Sequence, residues 1–162
     1  MKNKKYPDIK ALVLDIDGVL TDGTVNVSGH VAKRIFLRDL DAITFAKKKG
    51  IKIAFLTGEA ESDAYVVVKR FGGGPALYNA KDKRSGIKEI SELLSVGLSG
   101  ICYIGDGRRD IPPLKMVGLG LCPSDGDKLA KKVADRVLDS SGGRGVVVEA
   151  VDLILGESDY EG

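Results

Sequence analysis

Asp15 and Asp17 stand two residues apart in Leu14-Asp15-Ile16-Asp17-Gly18-Val19-Leu20-Thr21-Asp22, directly after an apolar run. Carboxylates that close repel each other unless a positive charge joins them. A hard divalent cation such as Mg²⁺ takes oxygen ligands and offsets the repulsion, while a carboxylate held beside it can attack phosphorus. A second acidic pair, Asp106 and Asp110, follows another apolar run in Tyr103-Ile104-Gly105-Asp106-Gly107-Arg108-Arg109-Asp110. Their spacing of four is expected to turn both toward one site on a helix, Asp106 as a metal ligand and Asp110 as a second ligand or a support. Arg108 and Arg109 read as solvated charges. Thr57, in Phe55-Leu56-Thr57-Gly58-Glu59, offers a hydroxyl and neighbouring backbone N–H groups that can hold a phosphoryl oxygen, although alone it reads as a helix N-cap. Lys83 in Asp82-Lys83-Arg84 can meet a phosphate as a point charge.

The elements that must position these residues follow from pattern. Apolar runs at 11–17, 51–56, 76–78, 101–105 and 119–122 predict strands, several of them stopping at the residues just named. Helices are predicted at about 39–49, 61–71, 83–94 and 112–117, with a further helix and short strand before a last helix ending near Leu155. Asp39 is expected to cap the first helix, which ends in Lys47-Lys48-Lys49 before Gly50. Residues 24–37 read as a β-hairpin around Ser28-Gly29-His30, too small to be a domain. Strands alternating with helices imply a mainly parallel sheet with helices on both faces. In such a sheet ligands bind beyond the carboxyl ends of the strands, where strand order reverses.

Composition narrows the function. The 162 residues are expected to form one domain, residues 1–162, at ~100–200 residues per domain. Apolar residues make up 43% and charged ones 30%, and 25 Lys+Arg against 23 Asp+Glu leave a net charge of +2. That excludes a disordered tail and argues against nucleic-acid binding through bulk charge. Asp15, Asp17, Lys115, Glu149 and Asp152 interrupt the most apolar segments before the roughly 18 residues that a membrane helix requires. The basic residues 1–10 lead into an apolar run broken by Asp15, unlike a signal peptide, so a cytoplasmic protein is expected. Cys102 and Cys122 sit in apolar runs and are expected to be buried thiols. No G-x-x-x-x-G-K-[ST] or G-x-G-x-x-G occurs, so Gly72-Gly73-Gly74 reads as a turn. The single histidine, His30, reads as an ordinary surface residue, which discounts a serine or cysteine triad.

The order Asp-Asp, Thr, Lys, Asp-Asp resembles the haloacid dehalogenase-like phosphatase superfamily, and the likeness extends over residues 9–155. More narrowly, the Asp15 to Gly23 segment, the small hairpin in place of a cap domain, Asp82-Lys83 and Gly142-Gly143-Arg144-Gly145 are similar to the 3-deoxy-manno-octulosonate 8-phosphate phosphatase family, which includes phosphatases for nine-carbon sugar-acid 9-phosphates. The resemblance implies an α/β fold, a doubly wound, mainly parallel, Rossmann-like sheet with a hairpin flap and no cap domain. It further implies Asp15 as nucleophile, Asp17 as general acid and base, and Thr57 and Lys83 on the phosphoryl group. Mg²⁺ would be held by Asp15, the Asp17 carbonyl and Asp106, with Asp110 supporting it. A homotetramer is implied, with the hairpin at the interface and the Gly142 to Gly145 segment of one chain near another's site.

Two departures from the eight-carbon pattern bear on substrate. Thr57-Gly58-Glu59 stands where the octulosonate enzymes typically have Thr-Gly-Arg, and Gly145-Val146-Val147-Val148-Glu149 where they commonly have Gly-Ala-Val-Arg-Glu. Thr-Gly-Glu is similar to the nine-carbon branch. A nonulosonate 9-phosphate is therefore the first expectation and an octulosonate 8-phosphate the second, bound by Thr57, Gly58, Glu59, Lys83 and Arg144, the last through its bidentate fork on the substrate carboxylate. Rivals are a phosphatase for another small phosphorylated metabolite, a phosphoacceptor signalling domain, and a non-catalytic assembly domain. Signalling domains place Thr and Lys after the phosphoacceptor Asp, whereas here both precede Asp106; an assembly domain is expected to lose members of a set that is intact here.

Overall fold

The structure, a computed structural model, describes residues 6–25 and 33–156. In chain order the elements are β1 (Ala11–Leu14), α1 (Leu37–Lys48), β2 (Lys52–Leu56), α2 (Glu61–Arg70), β3 (Ala76–Leu77), α3 (Lys83–Leu94), β4 (Ile101–Ile104), α4 (Ile111–Met116), β5 (Leu119–Cys122), α5 (Lys128–Val133), β6 (Arg136–Val137) and α6 (Val146–Leu155). Among the described residues the strands form one sheet in the order β3-β2-β1-β4-β5-β6, every pairing parallel. Strand order reverses between β1 and β4, so the expected ligand crevice opens where these two strands end.

Alternation along the central strands sorts side chains into two layers. Leu12 and Leu14 of β1, Ile53 and Phe55 of β2, and Cys102 and Ile104 of β4 pack with α1, α2 and α6. Ala11 and Val13, Ala54 and Leu56, and Ile101 and Tyr103 face the layer of α3, α4 and α5. These strands are buried on both faces, and each large side chain so covered contributes about 1.5–3 kcal/mol. Continuing the alternation of β1 puts Asp15 on the α3 side, where that helix begins with Lys83. Cys102 and Cys122 are buried free thiols in β4 and β5.

Two local expectations are corrected. The first strand stops at Leu14 instead of running to Asp17, because the carbonyl of Ile16 accepts the N–H groups of Val19, Leu20 and Thr21 and coils the chain into a turn. Asp39 does not cap α1, whose N-cap is Phe36; its buried carboxylate accepts the N–H groups of Gly145, Val147 and Val148 and so caps α6. Residues 26–32 of the expected hairpin, His30 among them, lie outside the described residues, and its described flanks contribute one antiparallel bridge, Thr21 to Ile35. Among the described residues no helix is long and apolar enough to cross a membrane.

Candidate active site

In-register pairing of Leu14 with Phe55 on one side and Ile104 on the other brings the ends of β1, β2 and β4 level. Asp15, Thr57 and Asp106 therefore leave the sheet side by side. They line one cavity of about 260 Å³ together with Asp17, Gly58, Glu59, Lys83, Gly107, Arg108, Arg109 and Asp110.

Lys83 is the hub. Asp82 caps α3 by accepting the Arg84 N–H, which starts the helix with Lys83 aimed at the strand ends. The Lys83 ammonium is 2.6 Å from Asp15 Oδ2 and 2.7 Å from Asp110 Oδ1, and only 3% of its side chain is exposed. Burial works against its charge, yet Asp15 and Asp110 together hold it above the ordinary lysine value. Burial pushes Asp15 up to about 7, with Lys83 pulling it down and Asp110 pushing it up again. Asp106 is pushed up to about 6, first by burial and then by the charge of Asp110.

Asp110 reaches the site in an unexpected way. Asp106 is in a loop, and a 3₁₀ turn, Arg108–Asp110, precedes α4, so helical stacking does not align the pair. Instead Asp110 Oδ2 folds back to accept the N–H groups of Asp106 and Gly107, at 3.1 and 2.8 Å. Its Oδ1 accepts from Lys83 and from the hydroxyl of Tyr103, a buried residue with no place in the sequence reading. An aromatic hydroxyl in an otherwise aliphatic central strand was the available signal, since such a group needs a partner when buried.

Asp15, Asp106 and Asp110 offer carboxylate oxygens that all lie within 4.8 Å of one another. Among the described residues Lys83 is the one ammonium paired to Asp15 and Asp110, so the cluster of three acids carries surplus negative charge and hard oxygen donors, which suits a divalent cation such as Mg²⁺. The Asp17 side chain is directed elsewhere. It accepts from Thr21 Oγ1 at 3.0 Å and pairs with Lys33 Nζ at 2.7 Å. Lys33, only 6% exposed, also lies 3.4 Å from Glu59 and ties the two acids together. It was missed in sequence because it falls in the expected hairpin, 16 residues from Asp17.

Gly18 explains the close approach of the first loop to Asp106. It has φ +81°, and a Cβ there would fall 2.0 Å from Asp106 Oδ2. Behind it Gly142 packs so tightly that its Cβ would meet the Gly18 carbonyl at 2.0 Å. Thr57 is not a helix cap, since α2 is capped by Ala60; its buried hydroxyl accepts the Glu59 N–H at 3.1 Å, and its proton has no acceptor among the described residues. Arg144 is exposed near Asp22 and does not line this cavity, whereas Arg108 and Arg109, read in sequence as solvated charges, do.

A parallel sheet with carboxylates at the ends of β1 and β4, a buried lysine and a strand-end threonine defines a haloacid dehalogenase-like hydrolase, and the family of that description matches residues 76–149. The 3-deoxy-D-manno-octulosonate 8-phosphate phosphatase of Salmonella typhi is 33% identical, covering 93% of this chain and 81% of that protein. The chain belongs to this phosphatase family. Two solved structures agree. The Moraxella catarrhalis phosphatase of the same name, in complex with magnesium ion, phosphate ion and the octulosonate sugar, superposes with TM-score 0.87 at 27% identity, covering 96% of this chain and 91% of that one. The cobalt-bound Haemophilus influenzae enzyme gives 0.86 at 27% identity, covering 91% and 88%.

Proposed function

We propose that the protein is a Mg²⁺-dependent cytoplasmic phosphatase that hydrolyses the phosphate monoester of a 2-keto-3-deoxy sugar acid through an aspartyl-phosphate, with a nonulosonate 9-phosphate preferred over an octulosonate 8-phosphate. The observation that carries this reading is the convergence of Asp15, Thr57, Lys83, Asp106 and Asp110 on one cavity. Asp15, the Asp17 carbonyl and Asp106 would hold the cation, with Asp110 in support. When bound, Mg²⁺ neutralises phosphoryl oxygens and relieves the repulsion among the carboxylates.

In the first step a carboxylate oxygen of Asp15 attacks phosphorus in line as the bond from phosphorus to the sugar oxygen breaks. Asp15 is suited to this because the Ile16 N–H fixes its Oδ1 at 2.8 Å and Lys83 favours its ionised form against burial. Lys83 and the free proton of Thr57 hold the phosphoryl oxygens. Asp17 gives its proton to the departing sugar oxygen. In the second step Asp17 takes a proton from water as the water oxygen attacks phosphorus; the bond to Asp15 breaks, releasing inorganic phosphate and restoring the Asp15 carboxylate and the Asp17 carboxylic acid. Glu59, steadied by Lys33, accepts hydrogen bonds from substrate hydroxyls and supports the nine-carbon preference.

The test is release of inorganic phosphate from a panel of sugar phosphates, with and without chelator. The parent is expected to be active with Mg²⁺ and silent in chelator, and Asp15→Asn and Asp17→Asn to be inactive while folded. Phosphate release by Asp15→Asn at the parental rate would overturn the mechanism, and metal-independent turnover would overturn the metal role.

A further inference from the structure

The cavity is lined by five carboxylates, those of Asp15, Asp17, Glu59, Asp106 and Asp110, against three cations, Lys83, Arg108 and Arg109. An anionic substrate therefore depends on which of the three is free. Lys83 is held between Asp15 and Asp110 at the floor. Arg108 turns outward, its Nε 3.1 Å from Asp127. Lys33, just behind the acidic wall, is occupied by Asp17 and Glu59. Arg109 has no hydrogen-bond or ion-pair partner among the described residues, and it lines the cavity with its guanidinium near the Thr57 loop. At Gly58 a Cβ would have Arg109 Nη1 as its nearest neighbour, at 3.4 Å.

We infer that Arg109 recognises a carboxylate on the substrate at the end remote from the phosphate, so that the substrate is selected as a phosphorylated polyhydroxy acid. This rests on the phosphatase reading above and specifies it. The phosphoryl group belongs at the floor, with Lys83 and Thr57, which leaves the guanidinium for a second anionic group. Its fork matches a carboxylate bidentately. The backbone beneath Arg109 is firmly held, because the neighbouring Asp110 is tied to Lys83, Tyr103 and the N–H groups of Asp106 and Gly107. Glu59 on the same opening rejects an anion and accepts hydroxyls, so the two residues orient the acid end and the polyol end differently. Arg144, the residue singled out for this role from sequence, lies outside the cavity.

The experiment compares parent, Arg109→Ala and Arg109→Lys on a sugar-acid phosphate, either the eight- or the nine-carbon compound, and on glucose 6-phosphate, which has no carboxylate. For Arg109→Ala, kcat/KM on the acid is expected to fall about 10- to 100-fold further than on glucose 6-phosphate, through KM rather than kcat, with partial recovery in Arg109→Lys. Equal losses on both substrates, a loss confined to kcat, or no loss would overturn the assignment while leaving the phosphatase reading intact. A parent that releases phosphate from none of these compounds would overturn both.

Discussion

Lys83 shows how one buried cation organises several acids. It is nearly sealed from solvent, and its two carboxylate partners lose the one counter-charge they share among the described residues if it is removed. Lys83→Met is therefore expected to cost about 3–5 kcal/mol, since breaking a buried ion network leaves uncompensated charge. It should also abolish turnover at saturating substrate. Denaturant titration and phosphate release read the two effects separately, and a fully stable, active variant would contradict the role assigned to the lysine. Glu59 tests specificity. Replacing it with arginine removes one of the two acidic partners of Lys33 and reverses the charge beside the cavity. In Glu59→Arg the kcat/KM ratio for nine-carbon over eight-carbon phosphate is expected to fall, and an unmoved ratio would sink the nine-carbon preference. The acids, Thr57 and Lys83 were legible in sequence because their types are costly beside buried strands. Lys33 and Tyr103 were not, because each acts on a partner that only folding brings near, and Arg109 was not, because only folding brings it to the cavity.

At the scale of elements, helix termini and turns hold the site in place. Asp39 joins α1 to α6 by accepting three N–H groups from Gly145, Val147 and Val148. Losing such a cap costs about 1–2 kcal/mol, so Asp39→Ala is expected to lower Tm by roughly 2–8 °C, with Asp39→Asn losing less. An unchanged melting curve would show that α6 does not depend on this cap. The preceding loop carries Gly142, which packs directly on Gly18, so α6 also supports the first acidic loop from behind. Element types and order were readable from periodicity and glycine placement. The cap partner was not, because Asp39 near the start of one helix satisfies the local rule equally well, and the competing α6 terminus is more than 100 residues away in sequence.

For the whole molecule, assembly is the open proposition. We propose a homotetramer, on the family resemblance and because no cap domain covers the cavity among the described residues, since transfer through an aspartyl-phosphate benefits from controlled water access. Val66 on α2 and Leu37 at the start of α1 are 70% and 67% exposed, which supports an apolar contact surface. Val66 also lines a groove with Lys33, Ile35, Ser62, Asp63, Val67 and Arg70. Arg144, exposed and outside its own cavity, is placed in this proposal near a neighbouring subunit's site. Light scattering at assay concentration is expected to give four times the chain mass; a fully active monomer would remove the proposal.

What the sequence determined by itself was the alternating α/β order, the burial of the central strands and the identities of the acids, threonine and lysine at their ends. Those follow from short-range facts: period, apolar runs and carboxylates that cannot rest beside them without a counter-charge. Tertiary structure decided how these residues meet. Parallel register levelled the strand ends, Asp110 folded back onto the Asp106 loop, and Lys33 crossed to Asp17 and Glu59. It also put Arg109, and not Arg144, on the lining of the cavity, since which cations face a site depends on how the loops pack.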